Sequence, residues 1–226
     1  NRECKEFIHS CSKSWQPIFD RIGRICDYNN HYKTMDPTYM ESEFWVFKQL
    51  WEKGLIYKSY KIMPFSTACE TSLSNFEASE NYKEVNTKSV YVCFKVKNEE
   101  DTFLVAWTTT PWTLPANLAL CVNPTVEYVK VCDDNNKKYI VSKDCVDNLK
   151  ITVNKVEPYA IGNQLLGLEY EPLFDYMKRD CFKVITGDFV EGSCKSGTGI
   201  VHLAPSFGME DFETCIKHKI IEAYEI

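Results

Sequence analysis

The sequence predicts an α+β fold, a closed or half-closed β-barrel flanked by helices, and three observations carry that prediction. Short β-rich runs follow one another after Gly54. Turn-forming residues separate them, and helical periodicity is confined to the amino-terminal segment and to the stretch after Phe207. Two parts are therefore expected, a helical flanking segment over residues 1–54 and a β-barrel core over 55–226.

From Asn1 to about Asp27, Phe7, Ile8, Cys11, Trp15, Ile18 and Ile22 recur at spacings of three and four, which is the pattern of an amphipathic helix that Pro17 should bend or divide. Asp36 and Pro37 read as N-cap and first turn of a second helix, and Gly54 as its stop. Met40, Phe44, Phe47 and Trp51 fall on one stripe of that helix, so it should pack on something larger. Strands are expected over 55–65, 89–96, 102–110, 118–122, 127–132, 138–141, 151–156, 181–186 and 199–203, then a helix over about 207–219.

A chain of 226 residues with 44% hydrophobic and 26% charged residues has ordinary globular composition and can bury a core. No apolar run approaches the roughly 18 residues needed to span a bilayer, and the amino terminus carries no signal pattern, so no membrane partner and a cytoplasmic location are expected. The sequence begins without methionine and reads as a piece cut from a longer protein. Eleven scattered cysteines without repeated short spacing fit reduced, mostly buried thiols and not a disulfide framework. The net charge of -6 gives no global basic footprint, so any RNA contact must be local.

Two constellations carry chemistry. In Trp107-Thr108-Thr109-Thr110-Pro111-Trp112-Thr113-Leu114-Pro115-Ala116-Asn117 an apolar strand ends in three threonines, and Thr108 and Thr110 share a face until Pro111 stops the ladder. Such a turn can present hydroxyls and freed amides to a small polar ligand. The bland alternative is β-propensity and turn formation.

The second runs from Ser196 to Asp211: a glycine-rich entry, a strand with Ile200, His202 and Ala204 on one face, then a helix start near Ser206. Asp211 falls in the first helical turn, where the helix dipole favours a negative charge able to grip an ammonium group. Against this, an isolated histidine often merely satisfies a core, and acids at helix starts often merely stabilise. Serine-hydrolase, phosphate-loop and zinc templates all fail on spacing, so no metal is expected.

Together, residues 108–117 and Gly197-Thr198-Gly199-Ile200-Val201-His202 with Asp211 resemble the editing motifs of isoleucyl-tRNA synthetases. Arg21-Ile22-Gly23-Arg24, Lys33-Thr34-Met35-Asp36-Pro37, Phe47-Lys48-Gln49-Leu50-Trp51 and Leu73-Ser74-Asn75-Phe76-Glu77-Ala78 extend the resemblance to the cytosolic eukaryotic branch, weakest over 133–163. Valine and leucine relatives typically carry arginine where Thr110 stands. Ser66 departs from the cysteine pair that bacterial relatives carry in that region.

The resemblance implies the editing (connective polypeptide 1) domain, a β-barrel of class I synthetases. It would hydrolyse Val-tRNA(Ile) as a second sieve and lack the ATP-binding signatures of the synthetic site. It further implies that Asp211 binds the substrate ammonium and that Thr108 and Thr109 position the ester and its attacking water. Thr110, Thr113, Asn117 and His202 would shape the side-chain pocket and hold the terminal adenosine. Hydrolysis would need no cofactor, ATP and magnesium belonging to the parent's synthetic domain. The implied partners are the tRNA(Ile) acceptor end carrying valine and the parent catalytic domain. His202 as base or as steric wall stays open, as do two rival functions, a non-catalytic acceptor-end binding module and a valyl- or leucyl-type editing domain.

Overall fold

A computed structural model describes residues 1–28, 30–174, 176, 181–193 and 196–222. The chain divides into two units, Asn1–Lys58 and Ser59–Ile226.

The first unit holds helices α1 (Arg2–Arg21) and α2 (Pro37–Glu52). Pro17 does not divide α1: a proline forfeits one backbone bond, and the turns on either side keep theirs. Asp36 is the N-cap of α2 with Pro37 at its first position, and Gly54 follows its end with φ +68°. The Asp36 carboxylate accepts from the Lys33 N–H at 3.1 Å, outside the helix, rather than capping it. No residue of either helix is buried, and Phe44 is 73% exposed. Two helices present more apolar stripe than they can cover between them.

The second unit opens with a hairpin, β1 (Phe65–Ser66) against β2 (Thr71–Ser72), closed where the Cys69 N–H donates to Ser66 Oγ at 3.2 Å. The strand expected over 55–65 therefore shrinks to its last residue. Pro64 lacks an N–H for a ladder, and its carbonyl instead accepts from Leu73. A single turn, α3 (Asn75–Ala78), starts with a Ser74/Glu77 capping box.

Two sheets follow. The five-stranded sheet has the order β3 (Val90–Lys95), β4 (Thr102–Thr108), β7 (Lys138–Ser142), β6 (Glu127–Cys132), β8 (Lys155–Ile161). The three-stranded sheet has the order β10 (Ile200–Leu203), β5 (Ala119–Val122), β9 (Lys183–Thr186). Both contain one parallel pair, β4 with β7 and β5 with β9. β8 starts four residues later than the sequence suggests and runs through Pro158, because it is an edge strand where a missing donor costs no ladder bond.

The barrel expected from sequence is here two sheets sewn together. Among the described residues, the segment 168–171 bonds on one side to the end of β3, through Lys97 N–H to Glu169 O and Glu171 N–H to Lys95 O. On the other it bonds to β9, through Tyr170 N–H to Phe182 O and Val184 N–H to Leu168 O. A further stitch joins Ser142 N–H to Thr198 O. Phe94, Leu104, Leu120, Ile140, Tyr170, Ile185, Ile200 and Leu203 fill the space between the sheets. Helix α4 (Met209–Lys217) closes one end with Phe212 and Cys215 buried.

Candidate functional site

The last residue of β4 is Thr108, paired with Val90, and beyond it the chain turns at Thr109 and enters a 3-10 helix, Pro111–Ala116. Proline at 111 cannot extend the ladder, so the hydroxyls around it fold onto the turn. The Thr110 N–H donates to Thr108 Oγ1 at 3.0 Å, and the two hydroxyl oxygens lie 3.1 Å apart. Thr113 donates its hydroxyl to the Thr110 carbonyl at 2.8 Å, and its oxygen lies 3.0 Å from His202 Nε2.

His202 comes from β10, held opposite Leu120 of β5. The entry to β10 requires Gly199, whose φ is +74° and whose added Cβ would meet Ser142 Cβ at 2.4 Å. After β10 the chain turns into α4, whose N-cap is Gly208, two residues past Ser206. Asp211, in the first turn, reaches back and accepts from the Ala204 N–H at 2.8 Å.

These elements enclose a cavity of about 290 Å³ lined by Thr108, Thr110, Thr113, His202 and Asp211, with Trp107, Trp112, Val201, Ala204 and Phe207 completing the wall. That is the small end of the roughly 300–1,000 Å³ usual for ligand pockets. Five of the seven residues singled out from sequence thus face one space. Thr109 is exposed and outside the lining. Asn117 is also outside it: its amide donates to the Ala119 carbonyl at 2.9 Å and its oxygen accepts from the Tyr170 hydroxyl at 2.7 Å. The aromatic wall residues escaped the sequence reading, since strand alternation sets Trp107 on the face opposite Thr108. Their signal was only adjacency to the threonine turn.

A larger hollow, about 950 Å³, lies in the first unit, lined by Phe7, Trp15, Phe19, Tyr32 and their neighbours. Its apolar walls are themselves exposed, Phe7 to 69%. It gathers no hydroxyl turn against a half-buried acid and a buried imidazole, so the smaller cavity is the candidate site.

The electrostatics limit the chemistry. Burial lowers His202 from 6.5 to about 4, so the ring is neutral at pH 7. Burial raises the Asp211 carboxyl, opposed by the Ala204 N–H and aided by Glu210. The expected preference for the ionised form at a helix start is thus outweighed by desolvation. Burial also pushes the nearby Cys121 and Cys215 thiols up to about 12, which keeps them protonated and poor nucleophiles. His202 bonds Thr113 and not Ser206, so no serine–histidine pair forms. The cavity offers hydroxyls, one acid and a neutral wall, which suits positioning a polar ligand and a water better than covalent catalysis.

The chain matches the family described as tRNA synthetases class I (I, L, M and V) over residues 1–218. It is 46% identical to the cytoplasmic isoleucine–tRNA ligase of Saccharomyces cerevisiae, covering 98% of this chain and 21% of that protein. It is 45% identical to the cytoplasmic isoleucine–tRNA ligase of Mus musculus over 98% of this chain and 18% of that protein. The isoleucine–tRNA ligase of Bdellovibrio bacteriovorus is 44% identical over 96% of this chain and 21% of its own length. The chain therefore spans about a fifth of the length of the relatives it matches.

Among solved structures, the P. knowlesi cytosolic leucyl-tRNA synthetase editing domain is similar at 13% identity and a TM-score of 0.45, covering 59% of this chain and 64% of that one. The structure titled GlLeuRS-CP1 is similar at 17% identity and a TM-score of 0.49, covering 57% of this chain and 59% of that one. The described residues contain no helix long and apolar enough to cross a membrane. The match along nearly the whole sequence makes the chain a member of the class I tRNA synthetases (I, L, M and V).

Proposed function

We propose that this chain is the editing domain of an isoleucyl-tRNA synthetase and hydrolyses the aminoacyl ester of Val-tRNA(Ile). The observation that carries this reading is the convergence of Thr108, Thr110, Thr113, His202 and Asp211 on one cavity of about 290 Å³. A synthetic pocket gains only about 1–3 kcal/mol from one methylene, which in isoleucyl-tRNA synthetases leaves a preference of roughly 150-fold for isoleucine over valine. A second, smaller site that admits valine and excludes isoleucine can correct the remaining errors.

In this reading Asp211 holds the α-ammonium group. Its carboxyl is desolvated, so a cation brought beside it is strongly favoured and draws it to the ionised form. Thr108 and Thr110 present hydroxyls to the ester and its attacking water, with Thr109 beside them at the turn. Thr113 and His202 form the wall, and Asn117 supports that wall from behind. An aminoacyl ester is already activated, so positioning and polarisation of its carbonyl suffice without a covalent intermediate. The tRNA acceptor end, the parent catalytic domain and a cytoplasmic location belong to the same proposal.

The test is release of amino acid from Val-tRNA(Ile) and Ile-tRNA(Ile) by the chain at high concentration, beside a full-length synthetase. Hydrolysis of the valyl ester alone supports the reading. Inactivity of both chain and full-length enzyme on the valyl ester sinks it, and hydrolysis of threonyl or smaller esters in preference would assign the chain to a valyl- or leucyl-type enzyme.

A further inference from the structure

The Thr113 hydroxyl stands between two partners, the Thr110 carbonyl oxygen at 2.8 Å and His202 Nε2 at 3.0 Å. The Thr110 carbonyl also accepts from the Thr113 N–H at 3.0 Å, so the hydroxyl proton of Thr113 can go either to that carbonyl or to Nε2, and the other ring nitrogen decides between them. With the hydroxyl given to Thr110, the Thr113 oxygen is an acceptor toward the ring and Nε2 carries the proton between them. The other ring nitrogen, Nδ1, is buried and has no hydrogen-bond partner. A proton added there would be an N–H without an acceptor on a ring that is 6% exposed, which is strongly disfavoured.

We infer that Thr113 locks His202 as the neutral Nε2–H tautomer and thereby keeps the ring out of proton transfer. One nitrogen is committed to Thr113 and the lone pair of the other is sealed from the cavity, so neither can take a proton from a water inside it. The low affinity of the ring for protons is the expected companion of that geometry. Asp211 is the other titratable side chain in the cavity wall.

The second half of the inference rests on the hydrolytic reading above. There, the water oxygen joins the ester carbonyl carbon and the bond from that carbon to the ribose oxygen breaks. One water proton ends on the ribose oxygen and the other leaves from the carboxylic acid product. Both travel by way of water and hydroxyl groups and bypass the imidazole. Thr113 acts here as a positioning residue through His202.

The experiment is long-range ¹H–¹⁵N correlation on the chain labelled at its four histidines, with the His202 signals assigned by their loss in His202→Gln. A protonated Nε2 and an unprotonated Nδ1, unchanged from pH 8 down to pH 5.5, are expected. Thr113→Ser, which keeps the hydroxyl, should retain the pattern, and Thr113→Val should lose it. A protonated Nδ1 in the unsubstituted chain, or a ring titrating near its ordinary 6.5, overturns the inference. Retention of the pattern in Thr113→Val overturns the role given to Thr113. The readout does not depend on activity: the expected pattern in a chain that, like the full-length synthetase, fails to deacylate the valyl ester refutes the functional reading while leaving the lock in place.

Discussion

Tyr170 donates its hydroxyl to the side-chain oxygen of Asn117 at 2.7 Å, joining the segment that sews the two sheets together to the chain two residues ahead of β5. Tyr170 is fully buried and Asn117 is 6% exposed. The Asn117 amide also donates to the Ala119 carbonyl. Asn117→Ala therefore leaves a buried hydroxyl and a buried carbonyl short of partners and should cost about 2–4 kcal/mol of stability. Tyr170→Phe, which strands one acceptor, should cost about 1–3 kcal/mol. Urea denaturation reads both; an unchanged midpoint in Asn117→Ala would return Asn117 to a ligand-contact role.

A β-carbon at position 208 would lie 2.9 Å from Asp211 Cγ and 3.0 Å from its Oδ1. The Gly208 backbone, with φ -137° and ψ 137°, suits any residue, so the side-chain conflict is the whole effect. Gly208→Ala should leave the thermal midpoint nearly unchanged and lower deacylation on the order of tenfold to a hundredfold by displacing the carboxylate. Full activity would show that the carboxylate position is unimportant.

Asp211→Ala should abolish deacylation with the fold intact. Asp211→Asn separates charge from shape. A carboxyl whose affinity for protons is raised by folding contributes stability only at low pH, and that contribution disappears as pH rises through its folded value. At pH 7 the folded chain therefore carries the burden of a desolvated charge. Asp211→Asn should be at least as stable as the unsubstituted chain at pH 7 and inactive, with the stability difference vanishing in acid. Melting curves at two pH values beside hydrolysis assays check the pair; a less stable Asn variant at pH 7 contradicts the sign.

The His202 ring has the opposite sign. Between about pH 4 and 6.5 the unfolded chain binds a proton that the folded chain refuses. Stability from this group is whole above 6.5 and is lost as pH falls toward 4, by about 3 kcal/mol in all. Denaturant titrations from pH 7 to pH 4 should show this acid limb, and His202→Gln should remove it.

Much of this arrangement could be read from the sequence where local chemistry and tertiary context agree. The β-prone run 127–132 is β6 end to end, and Asp36-Pro37 marks the start of α2. Reading failed where context overrides the local signal. Pro158 argues against a strand until β8 is known to be an edge, and residues 55–64 look β-rich yet have no neighbouring strand. The threonine turn and the His202 strand were visible as motifs. That Asn117 faces Tyr170 was not, because a residue 53 positions away decides it.

Thr108 belongs to the five-stranded sheet and His202 to the three-stranded one, so opposite walls of the cavity ride on separate sheets. The gap between them works as a caliper whose jaws are set by the core packed behind. Trimming a buried residue such as Leu104 or Leu120, neither of which lines the cavity, should let the jaws relax and change which amino acid is admitted. Under the proposed editing function, size selection is then a property of how two sheets are spaced as much as of the side chains that meet the ligand.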